Sequence, residues 1–196
     1  ELATVKTQAV CVLDAYFPEY AGLFSDMFGA ASLKVLAECP TPAEVDRRRA
    51  STIARLLSEG SRGRLGADKA ARLKAAAKSS VGIRLGEDAA SFQIKTMVSQ
   101  VEFLNQTIVK VEREVAALLA GIEPNITTIP GVSTATGAQI VAEIGDVRRF
   151  AGAAAIVKYA GLNPGVNESG KFSAEGVPIA KHGSPHLRRA LWLAAN

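Results

Sequence analysis

Apolar residues recur along most of this chain at helical rather than alternating spacing. In residues 3–17, Val5, Ala9, Val12, Leu13 and Tyr16 fall on one helical face. Pro18, Pro40 and Pro42 punctuate the first 45 residues into short helices. Thr41-Pro42-Ala43-Glu44 predicts a helix start: Thr41 caps free amides, Pro42 suits the first turn and Glu44 stands where a capping box needs it. That helix is expected to reach about residue 58, with Val45, Ile53, Leu56 and Leu57 inward, before EGSRGRLG (59–66) breaks it. An alanine-rich helix over 68–80 and a loop over 79–87, containing Gly82 and Gly86, follow.

The clearest period comes next. Ile94, Val101, Ile108 and Val115 recur every seven residues, and Met97, Leu104, Val111 and Leu118 fill the intervening step. Four heptads with both seam positions apolar predict a coiled coil, either a dimer or a helical hairpin. The alternative is a long amphipathic helix packed within its own domain. Gly121 and Pro124 stop this helix, which places a domain boundary near residue 122.

Beyond the boundary, a turn holding Pro130-Gly131-Val132 leads into a helix from about Ser133 to Ile144, closed by Gly145. A glycine turn feeding a helix N-terminus can present backbone N–H groups to an anion. Gly131, Val132 and Ser133 are therefore candidate phosphate contacts in a helix-hairpin-helix-like corner, which grips nucleic acid without reading bases. The same Pro-Gly corner also serves ordinary helical hairpins. Residues 163–170 read as a polar, glycine-containing loop that exposes Ser169. Lys171, Lys181, Arg188 and Arg189 supply cations around it, and Arg148 and Arg149 precede it. Ser184-Pro185 pairs a cap with a first helical position, and Leu187, Leu191 and Trp192 are expected to face inward. A serine attacking phosphorus needs a base and charge neutralisation. The loop offers the cations, but no histidine or carboxylate stands out as the base.

Net charge, +4 from 23 Lys+Arg against 19 Asp+Glu, says little until it is divided along the chain. Residues 1–40 and 89–145 are net acidic, whereas 41–88 and 146–196 are net basic. Two basic blocks suit a polyanionic partner at two places, or are solvated helix surface. Cys11 and Cys39 have no zinc-ligand spacing and are expected to be buried free thiols. His182 and His186 are four apart, but Pro185 lies between them and no third ligand is evident, so no metal site is assigned. No apolar run approaches the roughly 20 residues that span a bilayer, and no signal peptide is evident. The chain starts at Glu1 rather than Met and stops within a helical pattern, so it reads as a piece of something longer.

Several motifs are shared with a known family. IPGVSTATGAQIVAEIGDVRRF, YAGLNP, ESGK, IAKHG and LRRAL, in that order over residues 129–191, resemble the C-terminal serine domain of the IS-one-ten family of insertion-sequence transposases. DAYFPEYAGLFSDMFGAASLKVLAECPTPAEV is similar to that family's middle region. The resemblance implies a parent protein that joins a DEDD nuclease-like domain, similar to Holliday-junction resolvases, to a coiled-coil region and this serine domain. Such proteins cut and rejoin DNA through a serine attached transiently to it, with a structured guide RNA choosing the sites. By motif match Ser169 is the nucleophile and Ser173 a decoy. The match also places Lys181 in the Ile-x-Lys-x-Gly element and Arg188 in the Leu-Arg pair. The acidic residues of the family precede this region, so Mg2+ is expected in the full-length protein and no cofactor in this piece, which is expected to be inactive alone.

The resulting expectation is a mainly α chain in three parts: a helical region (1–88), a coiled-coil helix (89–121) and a truncated serine transposase domain (122–196) containing the helix-hairpin-helix. Expected partners are DNA, the guide RNA and a second copy through the seam at 94, 97, 101, 104, 108, 111, 115 and 118, with no membrane. A bacterial cytoplasmic, nucleoid-associated location follows. The rival reading is a non-catalytic dimeric DNA-binding module whose serine loop is structural.

Overall fold

The computed structural model describes the chain except for residues 124, 166–167, 170–171, 174–176 and 196, and gives the backbone alone at 168–169 and 172–173. The protein is mainly α, and it divides into two compact units, Glu1–Thr107 and Ile108–Asn196. No helix among the described residues is long and apolar enough to cross a membrane.

The first unit holds α1 (Leu2–Tyr16), a 3-10 turn (Pro18–Leu23), α2 (Ala30–Glu38), α3 (Pro42–Arg47), α4 (Ala50–Ser61), α5 (Ala67–Lys78) and the start of α6 (Glu87–Ile122). Its core is built from the apolar positions of these helices, with Leu13, Phe17, Tyr20, Val35, Leu36, Val45, Ile53, Leu57 and Leu73 buried together. Gly60 of α4 lies so close to α2 that a β-carbon there would stand 2.5 Å from the Ala31 Cα. The sequence pattern ran α3 and α4 together; the chain instead straightens at Arg48 and Arg49. The ammonium of Lys74 on α5 donates to the carbonyls of Asp46 (2.8 Å) and Arg48 (2.7 Å), which supplies the hydrogen bonds a continuing helix would have made. Thr41 caps α3 as expected, accepting the Glu44 N–H. The Glu44 carboxylate, however, reaches Ser91 (2.9 Å) and Lys95 (2.7 Å) on α6 rather than closing a capping box. At its other end α4 stops inside the expected break, a few residues beyond 58, at Arg62, which is left-handed (φ 54°).

The heptad seam splits in its fate. Ile94, Met97 and Val101 are buried in the first unit, Ile94 and Val101 in its main core cluster, so these three positions do not face a second copy. Ile108, Val111 and Leu118, in the second unit, are exposed. A heptad pattern specifies an apolar stripe but not what covers it. Cys39 is buried as expected, whereas Cys11 is exposed on α1.

The second unit continues α6 to Ile122 and adds a 3-10 turn (Ile126–Thr128), α7 (Thr134–Ile144), a second 3-10 turn (Val147–Arg149), α8 (Ala153–Tyr159), β1 (Glu168–Ser169), β2 (Phe172–Ser173) and α9 (Pro185–Ala195). Pro124 lies outside the described residues. Its core is small: Ile140, Ala160, Leu187 and Ala190 are buried, with Ile126, Ile144, Ile156 and Leu191 packed against them. Leu187 thus points inward as expected, while Trp192 is 62% exposed.

Candidate nucleic-acid interface

The 159–165 and 178–184 segments, which carry YAGLNP and IAKHG, are hydrogen-bonded to each other backbone to backbone. Gly165 N–H donates to Pro178 O (2.9 Å), Ala180 to Asn163 (2.8 Å), Lys181 to Gly161 (3.0 Å) and Ser184 to Tyr159 (3.0 Å). Farther along the same two strands of chain, β1 pairs antiparallel with β2, with Ser169 opposite Phe172. Ser169 therefore sits in a short β pairing, not in the irregular loop its composition suggested. Its side chain, and all of Gly170 and Lys171, lie outside the described residues.

Two motif glycines are explained by this pairing. A β-carbon on Gly161 (φ 66°) would meet the His182 carbonyl at 2.6 Å, and one on Gly183 (φ 123°) would collide with the Tyr159 carbonyl. Only glycine lets backbones approach this closely with such torsions. Lys181 is also left-handed (φ 56°), a conformation that costs a residue with a side chain about 1–2 kcal/mol.

The turn at Tyr159, Ala160 and Gly161 gathers several of the sequence-predicted cations. Arg188, half-buried on α9, donates from Nη1 to the Ala160 carbonyl (3.0 Å). The backbone of Lys181 is on the Gly161 carbonyl. The Arg149 guanidinium lies over the Tyr159 ring at 4.9 Å and over Phe150 at 4.6 Å, the two rings being 5.3 Å apart. Arg188 is thus committed to the fold, whereas Arg149, Lys181 and Arg189 are exposed. Arg148 is committed elsewhere: its Nε and Nη2 each approach the Asp146 carboxylate at 3.0 Å. That pairing holds the Asp146 carboxyl below its usual range and raises the Arg148 guanidinium.

At the Pro130-Gly131-Val132 corner, Gly131 and Val132 are packed into the second unit. Gly131 (φ 84°) packs against the Ala194 carbonyl of α9. Val132 is 9% exposed, and its N–H donates to Ile129 O (3.0 Å). The Ser133 hydroxyl accepts the Thr136 N–H (3.2 Å), which caps α7. His182 precedes α9 and His186 stands in its first turn, so the two do not share a helical face. Among the described residues no three His, Cys, Asp or Glu side chains converge on a metal-sized site.

Sequence reasoning missed Glu143, Asp146, Phe150 and Tyr159. Asp146 was readable as an acid two residues before an arginine, whereas the Glu143 contact spans 41 positions and has no local signal.

Residues 123–196 match the Transposase IS116/IS110/IS902 family. The chain is also similar to the "Insertion element IS110 uncharacterized 43.6 kDa protein" of Streptomyces coelicolor, at 31% identity over 104 residues. That alignment covers 52% of this chain and 25% of the relative, so the chain spans about a quarter of the relative's length. No solved structure matches the chain. The family match takes in the 159–161 turn, both paired segments and α9.

Proposed function

We propose that the chain is part of an insertion-sequence transposase that cuts and rejoins DNA through Ser169. The observation that carries this reading is the transposase-family match over residues 123–196, the segment in which the exposed Arg149 and the backbone of Lys181 meet the 159–161 turn. In the proposed step the Ser169 oxygen bonds to phosphorus and its proton passes to a base. The bond from phosphorus to the departing sugar oxygen breaks, and that oxygen takes up a proton. A sugar hydroxyl of the second DNA end then attacks the same phosphorus, rejoining the strand and returning the serine. Lys181 and Arg189 are the cations proposed to offset phosphoryl charge, joined by Lys171 on charge and motif position. Gly131, Val132 and Ser133 act chiefly by shaping the corner that starts α7.

The parent protein is proposed to use a guide RNA and Mg2+ held outside the described residues. It is also proposed to pair with a second copy through the exposed positions Ile108, Val111 and Leu118. The test is a covalent-adduct assay with the whole encoded protein and its DNA ends. Ser169→Ala is expected to abolish the protein–DNA adduct while Ser173→Ala retains it. An undiminished adduct in Ser169→Ala overturns the assignment. Loss of DNA joining with binding intact separates an enzyme from a DNA-binding module with a merely structural serine.

A further inference from the structure

The two adjacent arginines of the second 3-10 turn have different partners. Arg148 is neutralised by Asp146, whose carboxylate also accepts the Arg148 backbone N–H at 3.0 Å and so caps the turn. Among the described residues no carboxylate lies within salt-bridge distance of Arg149, although the Asp146 carboxylate also feels its charge. The Arg149 guanidinium instead rests on two tilted rings, within the roughly 6 Å at which a ring face attracts a cation. Tyr159 is in turn fixed, because its carbonyl accepts the Ser184 N–H at the foot of α9.

A guanidinium resting against aromatic rings in this way can leave N–H donors free at its outer edges. Those edges match two oxygens of one phosphate, and the stacking has already restricted the side chain before any ligand arrives. A lysine ammonium neither stacks this way nor forms the fork. We propose that Arg149, held by Phe150 and Tyr159, is a phosphodiester clamp for nucleic acid, and that Arg148 is a structural cation that takes no part in binding. The inference rests on the nucleic-acid reading above and assigns its contact to one of two neighbouring arginines.

The experiment titrates the 196-residue chain against labelled duplex DNA and duplex RNA of random sequence over a range of salt, with Arg149→Ala, Arg149→Lys, Arg148→Ala and Phe150→Leu. Arg149→Ala is expected to weaken binding about ten-fold and to lower the slope of log affinity against log salt by about 1, as for a lost phosphate contact. Arg149→Lys is expected to recover the slope but not the affinity, and Phe150→Leu to weaken binding less than Arg149→Ala. Arg148→Ala is expected to change affinity less than about two-fold. Which duplex shows the Arg149 effect identifies the phosphodiester source. Wild-type binding with an unchanged Arg149→Ala variant, or equal losses at 148 and 149, overturns the clamp and leaves the transposase reading standing. A wild-type chain with no salt-dependent affinity for either duplex overturns the clamp together with DNA binding by this segment.

Discussion

The Ser184 hydroxyl donates to the Glu143 carboxylate at 2.6 Å while accepting the Leu187 N–H at 3.1 Å, so a single oxygen caps α9 and ties it to α7. Because Ser184 N–H also bonds to Tyr159 O, this residue sets the position of the IAKHG segment against YAGLNP. Ser184→Ala removes both the cap and the tie and is expected to cost about 1–2 kcal/mol. Glu143→Ala leaves the cap in place and is expected to cost about 1 kcal/mol. Urea unfolding of the two single variants and the double variant checks this: the double should fall short of the sum of the singles, because both remove one shared bond.

The paired segments make a sharper prediction about backbone. Gly183→Ala forces a methyl into the Tyr159 carbonyl and is expected to destabilise the second unit by more than about 2 kcal/mol. Lys181→Gly has the opposite sign: it relieves the left-handed strain, partly offset by the larger backbone entropy a glycine loses on folding, and is expected to raise stability by about 0.5–1 kcal/mol. The same variant is expected to lose affinity for DNA by removing an exposed charge. A Lys181→Gly protein that is more stable and binds DNA less well is the expected outcome. One that is destabilised would show that the lysine side chain supports the fold.

How much of this could be read beforehand depends on how local each cause is. The Thr41 and Ser184 caps and the buried positions of α4 were legible, because a cap or a helical stripe is written within a few residues. The break between α3 and α4 was not, since neither glycine nor proline stands at 48–49 and the carbonyls are taken by Lys74, 26 residues after Arg48. The pairing of 161–165 with 178–181 was hidden for a related reason. It relies on backbone bonds and close approach at Gly161 and Gly183, with no alternating apolar pattern to announce strands. At the candidate site the charges were legible as a set, but charge alone does not distinguish Arg148 on its carboxylate from Arg149 on its rings.

Cys39 provides a pH prediction. Burial pushes its thiol from an ordinary value of 9.0 up to about 11. The folded chain therefore holds that proton more tightly than the unfolded chain, so this contribution is complete below about pH 9 and is lost as pH rises toward about 11. The buried Tyr20 phenol, also raised by desolvation, acts in the same direction at higher pH. Stability measured by urea titration is expected to decline across that window, and Cys39→Ala to flatten the decline. At pH 8 a thiol reagent should modify the exposed Cys11 in the native chain and reach Cys39 only after unfolding.

The divided seam of α6 yields a prediction that separates folding from assembly. Val101 is fully buried in the first unit's core, so Val101→Asp places an unpaired charge there and is expected to cost more than about 3 kcal/mol, enough to unfold that unit. Leu118 is 66% exposed, so Leu118→Glu is expected to alter stability by less than about 0.5 kcal/mol. If the exposed end of the seam pairs two copies, Leu118→Glu halves the mass measured by light scattering while the circular dichroism spectrum is retained. A wild-type chain that is already monomeric at micromolar concentration removes the coil from the list of interfaces. An unchanged dimer in Leu118→Glu moves the contact to another surface. The two positions lie on one uninterrupted helix and one heptad stripe, so the difference between their effects isolates burial by the chain's own core from burial by a partner.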